Sequence, residues 1–171
     1  MAERSKGTFL QARRGDRHYL ALVGEIRHKI STTLDAYLER IFAAGSVAGL
    51  LVDLTEARAI DSTNLGLLAR VAARMAREGG EPVTLVSPRP EINRVLEAMS
   101  LDRLFRVIRE PWEREGDFRE LERAEVDKYR FAEILLEAHR TIMELSPANR
   151  REFQALVETL SREMEPSSSR R

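Results

Sequence analysis

Two different spacings of apolar residues alternate along the first two thirds of the chain. Short runs with the composition of β-strands occupy residues 8–12, 18–23, 49–54, 82–86 and 105–108. The first two runs are joined through Gly15, in a turn composition that favours a hairpin. Between the later runs apolar residues recur at helical spacing, as Leu34, Leu38 and Ile41 do. The predicted order of elements is β-β-α-β-α-β-α-β, which is typical of an α/β fold.

The run at residues 49–54 is almost wholly apolar and carries a single acid close to its end. This pattern is typical of a strand that is buried on both faces and leads into a polar loop, so we predict the central strand here. A new apolar face at helical spacing begins directly after Asp61 and Ser62 and ends at a pair of glycines. From spacing alone, Asp61, Ser62 or Thr63 is the cap of this helix.

The character of the sequence changes at Pro111, where charged residues and helical patterns replace the strand patterns. We place a domain boundary here, between residues 1–110 and residues 111–171, and expect no further strand beyond it. The second part carries two amphipathic stripes, one beginning near Phe131 and one after Ser146, and then a polar tail that we expect to be disordered. The stripes are expected to pack as a helical hairpin on the first domain or on a second copy of the chain. Otherwise they form a second partner surface.

Composition excludes several classes of function. The 171 residues include no cysteine, so disulfides, zinc-thiolate sites and thiol catalysis are excluded. Basic and acidic side chains number 28 each, and the arginines are spread among glutamates, which argues against binding to nucleic acid. No apolar run approaches the roughly 20 residues of a membrane span. The first residues lack the pattern of a secretory signal, so we expect a cytoplasmic protein.

The residue patterns indicate neither catalysis nor a bound cofactor. His18, His28 and His139 are scattered without the spacing of metal ligands, and a surface or packing role is expected for each. The glycines do not form a phosphate-binding motif. Glu25 and Asp53 are candidates for a carboxylate pair, but no nucleophile accompanies them. We therefore expect a protein that is not an enzyme and holds no cofactor or metal.

Several segments, in their order and spacing, resemble those of STAS domains. They are LALVGEI (20–26), LVDLT (51–55), AIDSTNLGLL (59–68), VTLVSP (83–88) and VLEAMSLDRLF (95–105). The resemblance covers about residues 8–110. It implies the STAS fold, an α/β fold with a mixed β-sheet and helices packed mainly on one face, to which a C-terminal α-helical extension is added.

The resemblance also implies a function. In anti-sigma-factor antagonists of this family, the serine after the switch-loop aspartate is phosphorylated by a partner serine kinase, and a serine phosphatase reverses the modification. The matching serine is Ser62, with Thr63 as the second candidate. The implied partner is an anti-sigma factor, which the unmodified chain binds and which phosphorylation releases. The residues expected to contact the partner are Glu25, Arg27, Asp61, Ser62, Thr63, Asn64 and Leu65.

Two positions depart from the family pattern. Asn64 stands where the family often has glycine, and asparagine tolerates the unusual backbone angles that glycine permits. Arg27 stands where the family often has aspartate, in a loop of the usual partner-facing surface. The second departure therefore bears on the identity of the partner more than on the mode of action.

Two other functions remain open at this point. The first is an adaptor that controls another signalling enzyme through the same switch, as longer proteins of the family do in biofilm and motility control. The second is an accessory subunit of a phospholipid transporter, against which the long C-terminal extension argues. A homodimer formed through the C-terminal helices is also open.

Overall fold

The computed structural model describes residues 6–166, so the last five residues of the predicted tail lie outside it. The strands are β1 (Thr8–Arg14), β2 (Arg17–Ile26), β3 (Gly49–Asp53), β4 (Ala57–Ile60), β5 (Thr84–Val86), β6 (Arg106–Ile108) and β7 (Arg119–Glu120). The helices are α1 (Ser31–Ala43), α2 (Ser62–Arg77), α3 (Pro90–Ala98), α4 (Lys128–Met143) and α5 (Pro147–Glu163). All of the predicted strands and helices are present.

The seven strands form one mixed sheet in the order β6-β5-β3-β2-β1-β7, with β4 paired to β2 beside this path. Strands β1 and β2 form the predicted antiparallel hairpin, which turns at Gly15 with φ +64°. Strands β2, β3, β5 and β6 run parallel to one another, joined by helical connections. The prediction of an α/β fold with a mixed sheet and a C-terminal helical extension is confirmed.

Strand β2 is shared between two parallel neighbours. Its first half pairs with β3, and its last residues, from Gly24 to Ile26, pair with β4. The register shifts between Gly24 and Glu25, and Gly24 has φ +84°, a backbone angle that side chains disfavour. The Asp61 amide donates to the Ile26 carbonyl at 3.0 Å. The start of α2 is therefore fixed beside the end of β2.

One apolar core contains residues of the sheet, of the helices of the first domain and of the C-terminal part. It contains Leu20 from β2, Leu68 from α2 and, from the C-terminal part, Leu121, Ile134 and Ala138. The Leu121 amide also donates to the Phe9 carbonyl at 2.9 Å, next to strand β7. Helix α4 thus packs on the first domain and buries its apolar stripe there, one of the arrangements that the sequence left open.

The expectation that no strand follows Pro111 is wrong, because β7 adds two residues to the edge of the sheet. Both are charged and exposed, and the strand exists through backbone pairing with Leu10 and Gln11 of β1. Strand β4 was also missed. It is only four residues long, and just its two ends are buried, so its sequence lacks a sustained strand pattern.

Within residues 6–166, the helices are all too short or too polar to cross a lipid bilayer.

Candidate functional site

Ser62 is the first residue of α2, and Asp61 is the cap of that helix. One carboxylate oxygen of Asp61 accepts from the Asn64 amide at 3.0 Å and from the Asn64 side chain at 2.8 Å. Of the three caps that spacing allowed, the structure selects Asp61. The Ser62 hydroxyl is consequently left free for another partner, at the end of the helix where backbone amides and the helix dipole favour negative charge.

The end of β2 lies beside the start of α2 and forms the other part of the site. Glu25 and Arg27 are about half-exposed, and their charged groups lie 3.8 Å apart. The neighbouring His28 lies 3.8 Å from the Asp61 carboxylate. The structure therefore brings together four of the predicted contact residues, namely Glu25, Arg27, Asp61 and Ser62, around the junction of β2, β4 and α2.

The other three predicted contact residues are buried in this conformation. Thr63 is 3% exposed, and Asn64 and Leu65 are wholly enclosed by the protein. Ser62 itself is half-buried, and its hydroxyl is engaged in a hydrogen bond, so that it is only partly accessible from solvent. The partner of the Ser62 hydroxyl comes from the C-terminal part of the chain, and the sequence did not predict this contact.

His139 of α4 holds the Ser62 hydroxyl. The Ser62 Oγ lies 2.8 Å from His139 Nε2, and His139 Nδ1 lies 2.6 Å from the Leu135 carbonyl oxygen. Since a carbonyl oxygen only accepts, Nδ1 carries the proton of a neutral ring, and Nε2 accepts from the serine hydroxyl. Burial lowers the pKa of His139 below 6.5, outweighing the Leu135 carbonyl and the Asp61 carboxylate, which raise it.

Helix α4 approaches α2 so closely that only glycine fits between them. A Cβ added to Gly66 would lie far inside van der Waals contact of the Ala138 carbonyl oxygen. The His139 ring of α4 also packs on Phe153 of α5, with 5.2 Å between the ring centroids, and the histidine is only 2% exposed. Helices α4 and α5 together therefore close over the start of α2.

A network of charges fastens α4 to α1 and α2. The Asp35 carboxylate of α1, which is almost fully buried, accepts from Arg70 of α2 at 3.1 Å and from Arg130 of α4 at 2.8 Å. Arg70 also bonds to Glu137 of α4. A buried carboxylate needs such partners, because an unpaired charge in the interior is strongly unfavourable. The network thus fixes the three helices relative to one another.

The Ser62–His139 pair has the donor and acceptor of a nucleophile and its general base. The Leu135 carbonyl orients the ring, as a third group does in hydrolases. The imidazole, however, is enclosed between α2 and α5, so that a substrate has no access to it. The arrangement is suited to holding the hydroxyl in place.

Sequence reasoning missed the role of His139, for which it expected only a surface or packing position. The two partners of this hydrogen bond are separated by 77 positions in the chain. The nearest signal was the stripe that includes Leu135 and Ala138, which predicted an apolar face for α4. That stripe does not indicate which surface of the protein the apolar face of α4 covers.

Comparisons with known proteins identify the family. The model of the STAS domain matches residues 10–113. An anti-sigma factor antagonist from Mycobacterium paratuberculosis has a similar structure, with a TM-score of 0.53 and 22% identity, over 60% of this chain and 86% of the other. A candidate anti-sigma factor antagonist from Thermotoga maritima has a TM-score of 0.52 and 23% identity, over 58% and 84%. No curated protein matches significantly. The family match spans more than half of the sequence, and the chain belongs to the STAS domain family.

Proposed function

We propose that this chain is an anti-sigma-factor antagonist whose partner binding is controlled by phosphorylation of Ser62. The unmodified form binds an anti-sigma factor and so frees a sigma factor for transcription. A serine kinase abolishes this binding, and a serine phosphatase restores it. The observation that carries the proposal is the position of Ser62, directly after the capping aspartate at the start of α2 in a STAS domain. The similar structures bear the names of antagonists of this kind.

Burial favours Ser62 over Thr63 as the acceptor of the phosphoryl group. Thr63 points into the protein, whereas Ser62 lies at the edge of the site. Ser62 is also the first residue of the helix, and the free amides of the first turn can accommodate a phosphate there. A kinase therefore reaches Ser62 with less rearrangement of the fold than Thr63 requires.

The effect of the phosphate on binding is electrostatic. It adds about 1.5 to 2 negative charges beside the carboxylate of Asp61. Such a charge repels an acidic partner surface and cannot be desolvated against an apolar one, while the helix end keeps the domain folded. A loss of tenfold to thousandfold in affinity corresponds to about 1.4 to 4 kcal/mol.

Glu25 and Arg27 supply the exposed part of the proposed partner surface, next to the modified serine. With both signs of charge present, they favour a partner that offers complementary polar groups around its contact with Ser62. A binding module of this kind works without catalysis or a cofactor. It would act in the cytoplasm, where sigma factors are found.

The proposal is tested by capturing partners from cells with three tagged chains. Wild type and Ser62→Ala are expected to retain a sigma-regulatory protein, and Ser62→Asp is expected to lose it by at least about tenfold. Ser46→Asp is the matched control, because Ser46 lies exposed in the turn after α1, and it should bind as wild type does. Incubation with the captured kinase and ATP should modify wild type and leave Ser62→Ala unmodified.

Equal capture by wild type and Ser62→Asp would contradict the proposal, as would modification that persists in Ser62→Ala. The identity of the captured protein separates the other two functions. A transporter ATPase indicates the phospholipid transporter, and a signalling enzyme without a sigma partner indicates the adaptor.

A further inference from the structure

We propose that helices α4 and α5 form an autoinhibitory cover over the start of α2, and that this cover must leave before Ser62 is phosphorylated or bound by a partner. The inference rests on the proposed function in taking Ser62 as the switch residue. It adds that the unmodified chain exists in a closed form, described above, and an open form that exposes the start of α2. A phosphate on Ser62 is compatible with the open form alone.

The hydrogen bond between Ser62 and His139 makes modification and closure mutually exclusive. Phosphorylation joins the γ-phosphorus of ATP to Ser62 Oγ, breaks its bond to ADP and removes the hydroxyl proton. That proton is the one donated to His139 Nε2 in the closed form. After transfer, an acceptor lone pair on the neutral ring faces an anionic phosphate, and the attraction between the two groups becomes repulsion.

On the side of His139, the closed form also lacks the room that a phosphate needs. The space next to Ser62 Oγ is filled by the His139 ring, and Phe153 lies behind that ring. A shift of α4 toward α2 cannot make space either, because the α4 backbone at Ala138 already lies against Gly66. The phosphate therefore displaces α4 as a unit, and α5 with it.

The contacts that hold the cover are suited to reversible release. The arginines of the charge network are one quarter to one third exposed, so that solvent weakens each pair. Among the residues of α5, only Asn149 and Val157 are buried, which leaves most of that helix in contact with solvent. Helix α5, with few buried residues, therefore opens at lower free energy than the core of the domain, whereas α4, which buries Ile134, Ala138 and Ile142, opens at a higher cost.

The first experiment places phosphoserine at position 62 of the full chain by genetic-code expansion. Hydrogen–deuterium exchange of the α4 amides is then measured on the isolated protein. Release of the cover should speed exchange in α4 by about tenfold or more, while β2 and β3 stay protected. Phosphoserine at position 46, in the exposed turn after α1, is the matched control and should leave α4 unchanged.

A second variant opens the cover without adding charge. In Gly66→Ala the new methyl group overlaps the Ala138 carbonyl, and alanine favours the helical conformation of α2 more than glycine does. We expect faster exchange in α4 with a preserved far-UV circular dichroism spectrum. Partner capture by Gly66→Ala should exceed that by wild type, since the start of α2 is exposed in a larger fraction of the molecules.

A cross-link provides the opposite test. The chain has no cysteine, so Arg70→Cys and Glu137→Cys, at two residues that contact each other across α2 and α4, create a unique pair for a short bismaleimide. The cross-linked chain is expected to resist the kinase and to lose partner binding. The same double variant without the linker is the control. It should be phosphorylated and should bind the partner at least as well as wild type, because loss of Arg70 removes one of the ion pairs that hold the cover.

Unchanged α4 exchange in the phosphoserine chain would overturn the inference. So would a closed chain in which the His139 ring has become cationic, which its imidazole NMR signals would reveal. Both measurements use the isolated chain, so they do not depend on the partner. If the cover opens but partner capture ignores the phosphate, the proposed function fails and the cover stands. If partner capture responds to the phosphate while α4 stays protected, the proposed function stands and the cover fails.

Discussion

The protonation state of His139 decides how the Ser62 hydroxyl is held. With Nδ1–H directed at the Leu135 carbonyl, the neutral ring offers a single acceptor, Nε2, to the serine. A proton on Nε2 would remove that acceptor and place a positive charge in an enclosed site. The closed form therefore requires the neutral ring, and acid should destabilise the closed form.

The first prediction concerns this acid dependence. Because burial lowers the pKa of His139 below 6.5, the unfolded chain binds the proton more readily than the folded one. The contribution of His139 to the free energy of unfolding is fully present above 6.5, the ordinary pKa of histidine, and is lost as the pH falls below that value. Between about pH 7.5 and about pH 5.5, the free energy of unfolding should fall less in His139→Gln than in wild type.

Other groups near His139 and elsewhere require controls for this measurement. Asp61, at the start of α2, raises the pKa of His139, so Asp61→Asn should steepen the fall. His18 also has a lowered pKa, through burial and then Arg13, and His18→Gln should remove a separate part of the acid dependence. Identical pH profiles for wild type and His139→Gln would contradict the prediction.

Sequence reasoning placed one half of the site and missed the other. The pair Asp61 and Ser62 was predictable, because the helical period of α2 begins directly after it and the family resemblance points to the same serine. The carboxylate and the hydroxyl act within one turn of helix, where local patterns are informative. His139 reaches the site through tertiary packing, and the sequence pattern of α4 contains no information on that distant contact.

At the scale of elements, the strands and helices with a strong period were predicted and the weak ones were not. Helices α1 to α5 each carry an apolar stripe, and the early strands are apolar or alternating. Strands β4 and β7 are short and have no run of apolar residues, and they are held by backbone pairing to β2 and β1. Propensity and period do not report such pairing, which depends on the neighbours that the fold supplies.

The second prediction concerns the side chain that connects α5 with the C-terminal ends of α3 and α4. The Asn149 side chain is 3% exposed and donates to the Met99 carbonyl at 2.8 Å and to the Ile142 carbonyl at 3.0 Å. Asn149→Ala leaves two helix-end carbonyls without this donor and should lower the free energy of unfolding by about 1 to 3 kcal/mol. Urea denaturation followed by circular dichroism measures the change.

The matched control for that variant is Gln154→Ala on the same helix. Gln154 is exposed and bonds only to Glu158, one turn further along. Its replacement should alter stability by no more than about 0.5 kcal/mol. Equal losses in the two variants would show that Asn149 does not join the helices as described.

At the scale of the whole molecule, the family match ends near residue 113, but the apolar core continues beyond it. Ile134 and Ala138 of α4 lie in the same cluster as the residues of the sheet. The third prediction follows from this continuity. Trp112, the single tryptophan, borders the same cavity as Tyr19 and Leu51 of the sheet and so reports on the sheet. In urea, its fluorescence and the far-UV circular dichroism should give the same midpoint, as in a two-state transition.

The variant Gly66→Ala should separate the two midpoints, because its C-terminal helices no longer share the core. The part of the helical signal that comes from α4 and α5 would then be lost at lower urea than the tryptophan signal changes. Two separate transitions in the wild-type chain would contradict the prediction, since they would show that the C-terminal helices unfold independently of the sheet.

Strand β7 also limits how far the open form can depart. It attaches the chain to β1 through Leu10 and Gln11. Ala124 is bonded in turn to Thr32 and Thr33 of α1, and only residues 125–127 lie between this second attachment and the start of α4. A released α4 therefore remains tethered near α2 at an effective concentration on the order of millimolar. A dissolved partner present at micromolar levels competes against that local excess. Lengthening this tether would shift the competition toward the partner, so the length of the segment 125–127 sets how sensitive the switch is.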